Sequence, residues 1–372
     1  MSIRAALAVC FSVTIAGTAS AQVTITDLGT LSGGWDSAAS GISRDGSTVV
    51  GRSSSANGDR AFRWTKSGGM QSLGVVAEGG GASSNAWATS SNGSVVVGDC
   101  RLPSNNIPEW RGFRWTAANG ASELHPYTSQ SNRFSSSARA VTADGNTTFG
   151  SSSSSNGTVA VMWNASGSIT VLGAADPNYG SAATTCTPSG TYAAGQQGGQ
   201  AIRWQVGGSS QNIAGLGVER SIAYSISDQG NVITGDCTVG GTTQAFRWTQ
   251  SEGMVRLGLL QGGDYSQGYG ISADGSIIVG QAAVAFGSHA FIWTQTTGML
   301  DLNTYLTSIG VDMTGWTLKY ATGISSDGRS IVGTGNYMGA ERAFLVTGLT
   351  IPTPSAFSLL VLGSLCVRRR NA

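Results

Sequence analysis

One motif recurs along most of this chain, and its period limits the possible folds more than any other feature. A turn glycine returns at Gly46, Gly93, Gly145, Gly190, Gly230, Gly275 and Gly328, at intervals of 47, 52, 45, 40, 45 and 53 residues. In the first copy, Gly41-Ile42-Ser43-Arg44-Asp45-Gly46 leads into Val49-Val50-Gly51, and Ala61-Phe62-Arg63-Trp64 and then Met70 to Leu73-Gly74 follow. The third segment returns as Gly112-Phe113-Arg114-Trp115, Ala160-Val161-Met162-Trp163, Ala201-Ile202-Arg203-Trp204, Ala245-Phe246-Arg247-Trp248 and Ala290-Phe291-Ile292-Trp293, with a worn copy at Ala343-Phe344-Leu345-Val346. Six of the ten Trp therefore share one repeat position. With 55 Gly in 372 residues, composition alone would allow a flexible Gly/Ser chain. Regularly placed aromatic residues exclude it.

Each copy reads as four short strands. The first ends at Ile42-Ser43, and Asp45-Gly46 forms the hairpin turn, since Gly accepts the positive φ that tight turns demand. The second carries Val49-Val50. The third places Phe62 and Trp64 on one face, two residues apart, and the fourth carries Leu73. Four strands per 40–53 residues is the period of a β-propeller blade. This much Gly and Ser would cost helical repeats too much helix propensity. Ile25-Thr26-Asp27-Leu28-Gly29 matches only a fourth strand, while the last copy stops after its third. The expected fold is all-β: a seven-bladed propeller over residues 22–350, closed by the N-terminal strand pairing into the last blade.

The ends read as addresses. Residues 1–21 have Arg4, an apolar run from Ala5 to Gly17 and the small-residue site Ala19-Ser20-Ala21, the layout of a signal peptide. Residues 351–372 have Pro352-Thr353-Pro354, an apolar run from Ala356 to Val367 and Arg368-Arg369-Arg370. That run resembles a bacterial PEP-CTERM sorting signal, with Thr353 standing where those signals carry Glu. Its 12 residues would span roughly 18 Å, short of a ~30 Å hydrocarbon core, so membrane contact is expected to be transient. In between, Ser288-His289-Ala290-Phe291 with Arg60-Ala61-Phe62, Gln244-Ala245-Phe246 and Arg342-Ala343-Phe344 resembles the extracellular HAF repeat family of bacteria. The resemblance implies an exported repeat protein at the cell surface or outside the cell. It brings no active-site residues to carry over.

A search for chemistry returns little. Net charge is +1 with 11% charged residues, which disfavours a nucleic-acid partner. Between the ends stand Cys100, Cys186 and Cys237. The first and last occupy the same repeat position in distant blades, too far apart to pair, and Cys186 replaces a first-strand Ile. His125 and His289 are too few for zinc, and His289 is expected on an exposed strand position. Asp45, Asp144, Asp274 and Asp327 are lone turn acids in separate blades, so no calcium site is expected. Neither a nucleophile elbow nor a phosphate loop occurs. No cofactor or metal is expected.

One constellation has binding chemistry. Loops from each fourth strand to the next first strand open on one face. They carry Trp35 and Asp36, Phe134, Tyr179, Glu219 beside Arg220, Asp264 and Tyr265, and Trp316. Rings beside carboxylates suit sugars or peptides, through stacking and directional hydrogen bonds. The expected function is a non-enzymatic binding or scaffold module for a surface polysaccharide or protein, served by export and sorting machinery. A propeller hydrolase or lyase, with Asp36 paired to Glu219 or Asp264 as acid and base, is the alternative. The repeated Trp are expected to pack between blades.

Overall fold

The structure is a computed structural model that describes residues 22–77, 82–102, 109–127, 135–176 and 178–351. Residues 1–21, where a signal peptide is expected, the C-terminal segment beyond Ile351 and Phe134 lie outside the described residues.

Seven four-stranded antiparallel sheets form the blades, each ordered first to fourth strand. The first strands are Ser37–Ile42, Ser83–Thr89, Ser136–Val141, Ser181–Cys186, Arg220–Ile226, Ser266–Ile271 and Trp316–Ile324. The last sheet is completed by the N-terminal strand Thr24–Asp27, which pairs with Ala340–Thr347 in the register Thr24 to Thr347 through Asp27 to Phe344. The chain is thus the seven-bladed propeller its repeats imply, and the ring is closed.

Two glycine positions explain much of the repeat. The hairpin glycines Gly46, Gly93, Gly145, Gly190, Gly230, Gly275 and Gly328 have φ between +71° and +77°. The second-strand glycines have a different reason. A Cβ on Gly51, Gly98, Gly150, Gly195, Gly235, Gly280 or Gly333 would lie 1.8–2.0 Å from a first-strand carbonyl oxygen. The crowding comes from a β-bulge, since every first strand shifts register opposite that glycine, as between Ala39 and Gly41 or Ala223 and Ser225. This bulge leaves one residue of each first strand outside the ladder, and the first strand of blade 7 has a second shift, between Leu318 and Tyr320.

A serine at the start of the first strand stitches neighbouring blades. Its Oγ accepts from a third-strand N–H of the preceding blade: Ala61 to Ser84, Gly112 to Ser136, Ala160 to Ser181, Ala201 to Ser221 and Ala245 to Ser266, at 2.8–3.0 Å. Ala343 N donates to Ser37 Oγ at 3.0 Å, so the closing junction is built like the others. Between blades 6 and 7 an unforeseen helix, Leu302–Ser308, takes over. Leu302 and Leu306, four residues apart on one face, are buried, and Asn303 Oδ1 accepts from Leu318 N at 2.7 Å. Asp301 caps the helix and lies 2.6 Å from His289 Nδ1. His289 is therefore a half-buried paired side chain, not an exposed strand residue, because the helix folds over its strand.

The core is seven clusters between adjacent blades. In each, third-strand aromatics meet small residues from the preceding blade. Phe62, Phe113, Phe246, Phe291 and Phe344 are fully buried. The six repeated Trp all pack in these clusters between blades, as the repeat implies, but to different depths. Trp163, Trp204 and Trp248 are buried, but Trp64, Trp115 and Trp293 are half-exposed, because they stand nearer the hairpin rim than Phe. Volume is conserved where Phe is missing. Blade 4 has Ile202, and Phe149 reaches in from blade 3 beside Ala183 and Ala193. Blade 3 has Val161, and Trp163 sinks completely with its Nε1 bonded to His125 O at 3.0 Å. Among the described residues no helix is long and apolar enough to cross a membrane.

Candidate functional site

The bulges aim their unpaired residues at the propeller axis. These are Ser40, Trp87, Arg139, Thr184, Tyr224, Tyr269 and Thr322, all lining a central cavity of about 1000 Å³. The frame that holds them repeats, while the residues themselves change from hydroxyl to ring to guanidinium. Tyr265 and Tyr320 add two more rings to the wall.

The hairpin-side mouth is strapped. Backbone bonds link successive hairpins: Ser91 N to Ala143 O at 3.1 Å, Ala143 N to Pro188 O at 2.9 Å, Asp228 N to Ala273 O at 3.0 Å, Ala273 N to Ser326 O at 3.2 Å and Ser326 N to Arg44 O at 3.0 Å. Pro188 has no N–H, and the run breaks between it and Asp228. Across the mouth, Arg44 Nη1 donates to Asp228 Oδ1 at 2.6 Å, and Nη2 to Oδ2 completes a bidentate pair between blades 1 and 5. The cavity's other mouth lies on the face of the loops from fourth to first strands.

Two carboxylates stand behind the wall, one repeat position apart from the second-strand glycine. Asp99, in blade 2, accepts from Trp87 Nε1 and Ser137 Oγ at 2.8 Å each. Arg139 stacks on Trp87, 4.2 Å from the ring centre, with its Nη2 3.8 Å from Asp99. Burial weakens the hold of the Arg139 guanidinium on its proton, and Asp99 opposes that. Asp236, the equivalent in blade 5, accepts from Gln267 Nε2 at 2.6 Å and from the Tyr224 hydroxyl. Gln267 Oε1 accepts in turn from the Tyr269 hydroxyl at 2.8 Å and from Gln281 Nε2 at 2.5 Å. Burial pushes the Asp236 carboxyl above its ordinary value, against the pull of Gln267 and Tyr224. Burial also raises the Tyr224 and Tyr269 hydroxyls, so both remain protonated donors.

The Asp236 shift has a measurable sign. A carboxyl whose folded pKa lies above 3.8 weakens folding as pH rises through the interval between the two values, and the full cost is present above it. Asp236→Asn keeps an acceptor for Gln267 without the charge. The variant is expected to melt a few degrees higher than the parent at pH 7 and together with it near pH 3. Melting curves at the two pH values check this, and a variant less stable at pH 7 than at pH 3 relative to the parent would contradict it.

The candidates from sequence are dispersed. Tyr265 lines the cavity. Trp35 is 72% exposed on the rim, and its carbonyl accepts from Arg342. Asp36 is buried with Oδ2 3.4 Å from Arg52 Nη2, while its Oδ1 has no hydrogen-bond partner among the described residues. Tyr179 is exposed, and its N–H closes a turn on Asp176 Oδ1 at 2.7 Å. Glu219 Oε1 accepts from Gly241 N at 3.3 Å, and Asp264 is exposed. Trp316 stacks on Tyr337, with ring centres 4.6 Å apart, and packs against the core of blades 6 and 7. Sequence reasoning missed the bulge residues and Asp99 and Asp236. The available signal was a changing residue inside the constant first-strand frame, opposite a glycine that recurs in mid-strand.

Cys100, Cys186 and Cys237 are free thiols. Burial pushes Cys100 and Cys186 up to about 12 and Cys237 to about 11, which makes them poor nucleophiles. The turn acids serve their own hairpins. Bonds from the Thr142 hydroxyl and then the Asn146 amide hold the Asp144 carboxyl below its ordinary value. Among the described residues no three His, Cys, Asp or Glu converge as a metal site would require.

By fold and cavity this is a closed seven-bladed β-propeller whose central channel is lined by hydroxyl, aromatic and aliphatic side chains. No protein-family model matches the chain, and no curated protein does. Solved structures with a similar backbone include oligogalacturonate lyase from Vibrio parahaemolyticus, with a TM-score of 0.54 and 10% identity over 88% of this chain and 94% of that one. An oligogalacturonate lyase in complex with manganese has a TM-score of 0.51 and 11% identity over 90% of this chain and 92% of that one. TolB from Acinetobacter baumannii has 0.46 and 14%, over 82% and 81%. At these identities the likeness is one of fold.

Proposed function

We propose that the protein is an exported cell-surface module of the HAF repeat type that binds a hydroxyl-rich ligand, a polysaccharide, in the mouth of its channel. The observation that carries this reading is the ring of seven bulge residues, varied in chemistry on a uniform frame around one cavity. Tyr and Trp rings offer stacking faces, and hydroxyls, amides and a guanidinium offer directional bonds. The Arg44–Asp228 strap favours entry from the loop face, where Trp35 and Tyr265 stand at the rim and in the wall. The N-terminal segment supports export, and the C-terminal one supports retention at the surface by a PEP-CTERM-like route.

Titration of the purified protein with neutral plant and bacterial polysaccharides tests the reading. One of them is expected to bind. Tyr265→Ala should weaken it about tenfold, roughly 1.4 kcal/mol, while Lys66→Ala on the hairpin side leaves it unchanged. Absence of binding across the panel, or equal loss in the two variants, would overturn the assignment. A second reading, a carbohydrate-active hydrolase or lyase, draws on the two carboxylates behind the wall, Asp99 and Asp236. Release of shortened or unsaturated products from the same polysaccharides would favour it.

A further inference from the structure

The junctions after blades 2 and 5 share one frame and end differently. Each has an aspartate after the second-strand glycine, Asp99 or Asp236, and a large ring at the bulge, Trp87 or Tyr224. In the next blade Gln267 faces that aspartate on one side of the ring, with its cross-strand partner Gln281 bonded to it. Their counterparts on the other side are Ser137 and Ser151. Gln267 bonds Asp236 and accepts from Gln281, so the two side chains form one chain of bonds across their junction. The serines are three heavy atoms shorter, and beside them lies a side pocket of about 370 Å³.

That pocket opens off the channel, for Trp87, Arg139 and Ser151 line both. Its base is the Asp99 cluster, and Asp99 is only 4% exposed. The Trp110 ring, 36% exposed, stands in its wall. Arg139 bonds Ser137 Oγ through Nε at 2.9 Å, and among the described residues its Nη groups have only the ion pair from Nη2 to Asp99, at 3.8 Å. Donors and an acceptor therefore sit side by side. Asp99 and Arg139 cancel in charge. An anion at Arg139 would also face Asp99, 3.8 Å from Nη2, so the pair does not suit a carboxylate. A hydroxyl donates and accepts at once, and adjacent hydroxyls on a ring match such a pair.

We infer that this pocket is a subsite for one uncharged sugar residue of the bound polysaccharide, its ring against Trp110 and its hydroxyls on Arg139 and Asp99. The inference rests on the binding reading above and extends it to a place and a substrate class. Blade 6 supplies the means to test it. The double variant Ser137→Gln with Ser151→Gln fills the pocket with the side chains that the same frame already accommodates at Gln267 and Gln281.

The experiment is calorimetric titration of the purified protein with cellohexaose, xylohexaose and mannohexaose, and with oligogalacturonate as the charged counterpart. A neutral hexasaccharide is expected to bind. The double glutamine variant should bind it at least tenfold more weakly, and Trp110→Ala about tenfold more weakly, both with melting temperatures close to that of the parent. If the parent binds and both variants bind equally well, the subsite is refuted while the binding module stands. Preference for oligogalacturonate refutes the uncharged class. If no saccharide binds the parent, the binding reading falls, and the subsite with it. Should the double variant fail to fold, Trp110→Ala decides alone.

Discussion

Removal of residues 22–29 is expected to open the ring. The third strand of blade 7, Ala340–Thr347, would lose its partner Thr24–Asp27 and become a free edge. More than a strand is lost. Leu28, 4% exposed, packs with Phe62, Ala343 and Leu345 across the closing junction, and its N–H bonds Ala343 O at 3.0 Å. Gly29 O accepts from Ser37 Oγ at 2.6 Å, so the stitch that joins blades 7 and 1 loses an acceptor as well. Burial of Leu28 and part of Ile25, with the strand's ladder, puts the cost at about 5 kcal/mol or more. Melting is expected to fall by roughly 10 °C or more. Light scattering should show association through the bared edge. A truncated protein that melts like the parent and stays monomeric would contradict the closure.

The second large effect belongs to the third-strand phenylalanines. Phe246 is fully buried between blades 4 and 5, against Ala194, Ala201, Ala223 and Ile233. Its alanine neighbours cannot extend into a vacated space, so Phe246→Ala leaves a cavity and should cost about 3–5 kcal/mol. Trp35→Ala, at a site 72% exposed, should cost less than about 0.5 kcal/mol. Chemical denaturation of the two variants checks the contrast. Equal losses would mean that the rim and the core had been exchanged.

Much of the fold was legible because it follows local rules that repeat. Turn glycines with positive φ, alternation in Phe62 and Trp64, and an orphan fourth strand at Ile25 to Leu28 are all statements about neighbours in sequence. The helix Leu302–Ser308 was missed because its seven residues are too few to show a helical period, with only Leu302, Tyr305 and Leu306 to mark the apolar face. The site was less legible for a geometric reason. Alternation assigns faces by counting in twos, and a bulge interrupts the count at the residue that reaches the axis, as at Tyr224 between Ala223 and Ser225. The strap was illegible because Arg44 and Asp228 are 184 residues apart and meet only when the ring closes. Loops carrying rings drew notice because their composition stands out. Trp316 shows the limit of that signal, for its ring is engaged with Tyr337 and Phe344.

The central claim is that one varied channel, open on the loop face and strapped on the hairpin face, is where this propeller meets its ligand. A crystal structure of the protein soaked with a neutral hexasaccharide tests that most directly. The sugar is expected within the channel mouth, in contact with Tyr265 or Tyr269 and extending toward Arg139, with the Arg44–Asp228 pair intact beneath it. Sugar seated on the hairpin face, or on the outer edge of the blades with the channel empty, would contradict the account.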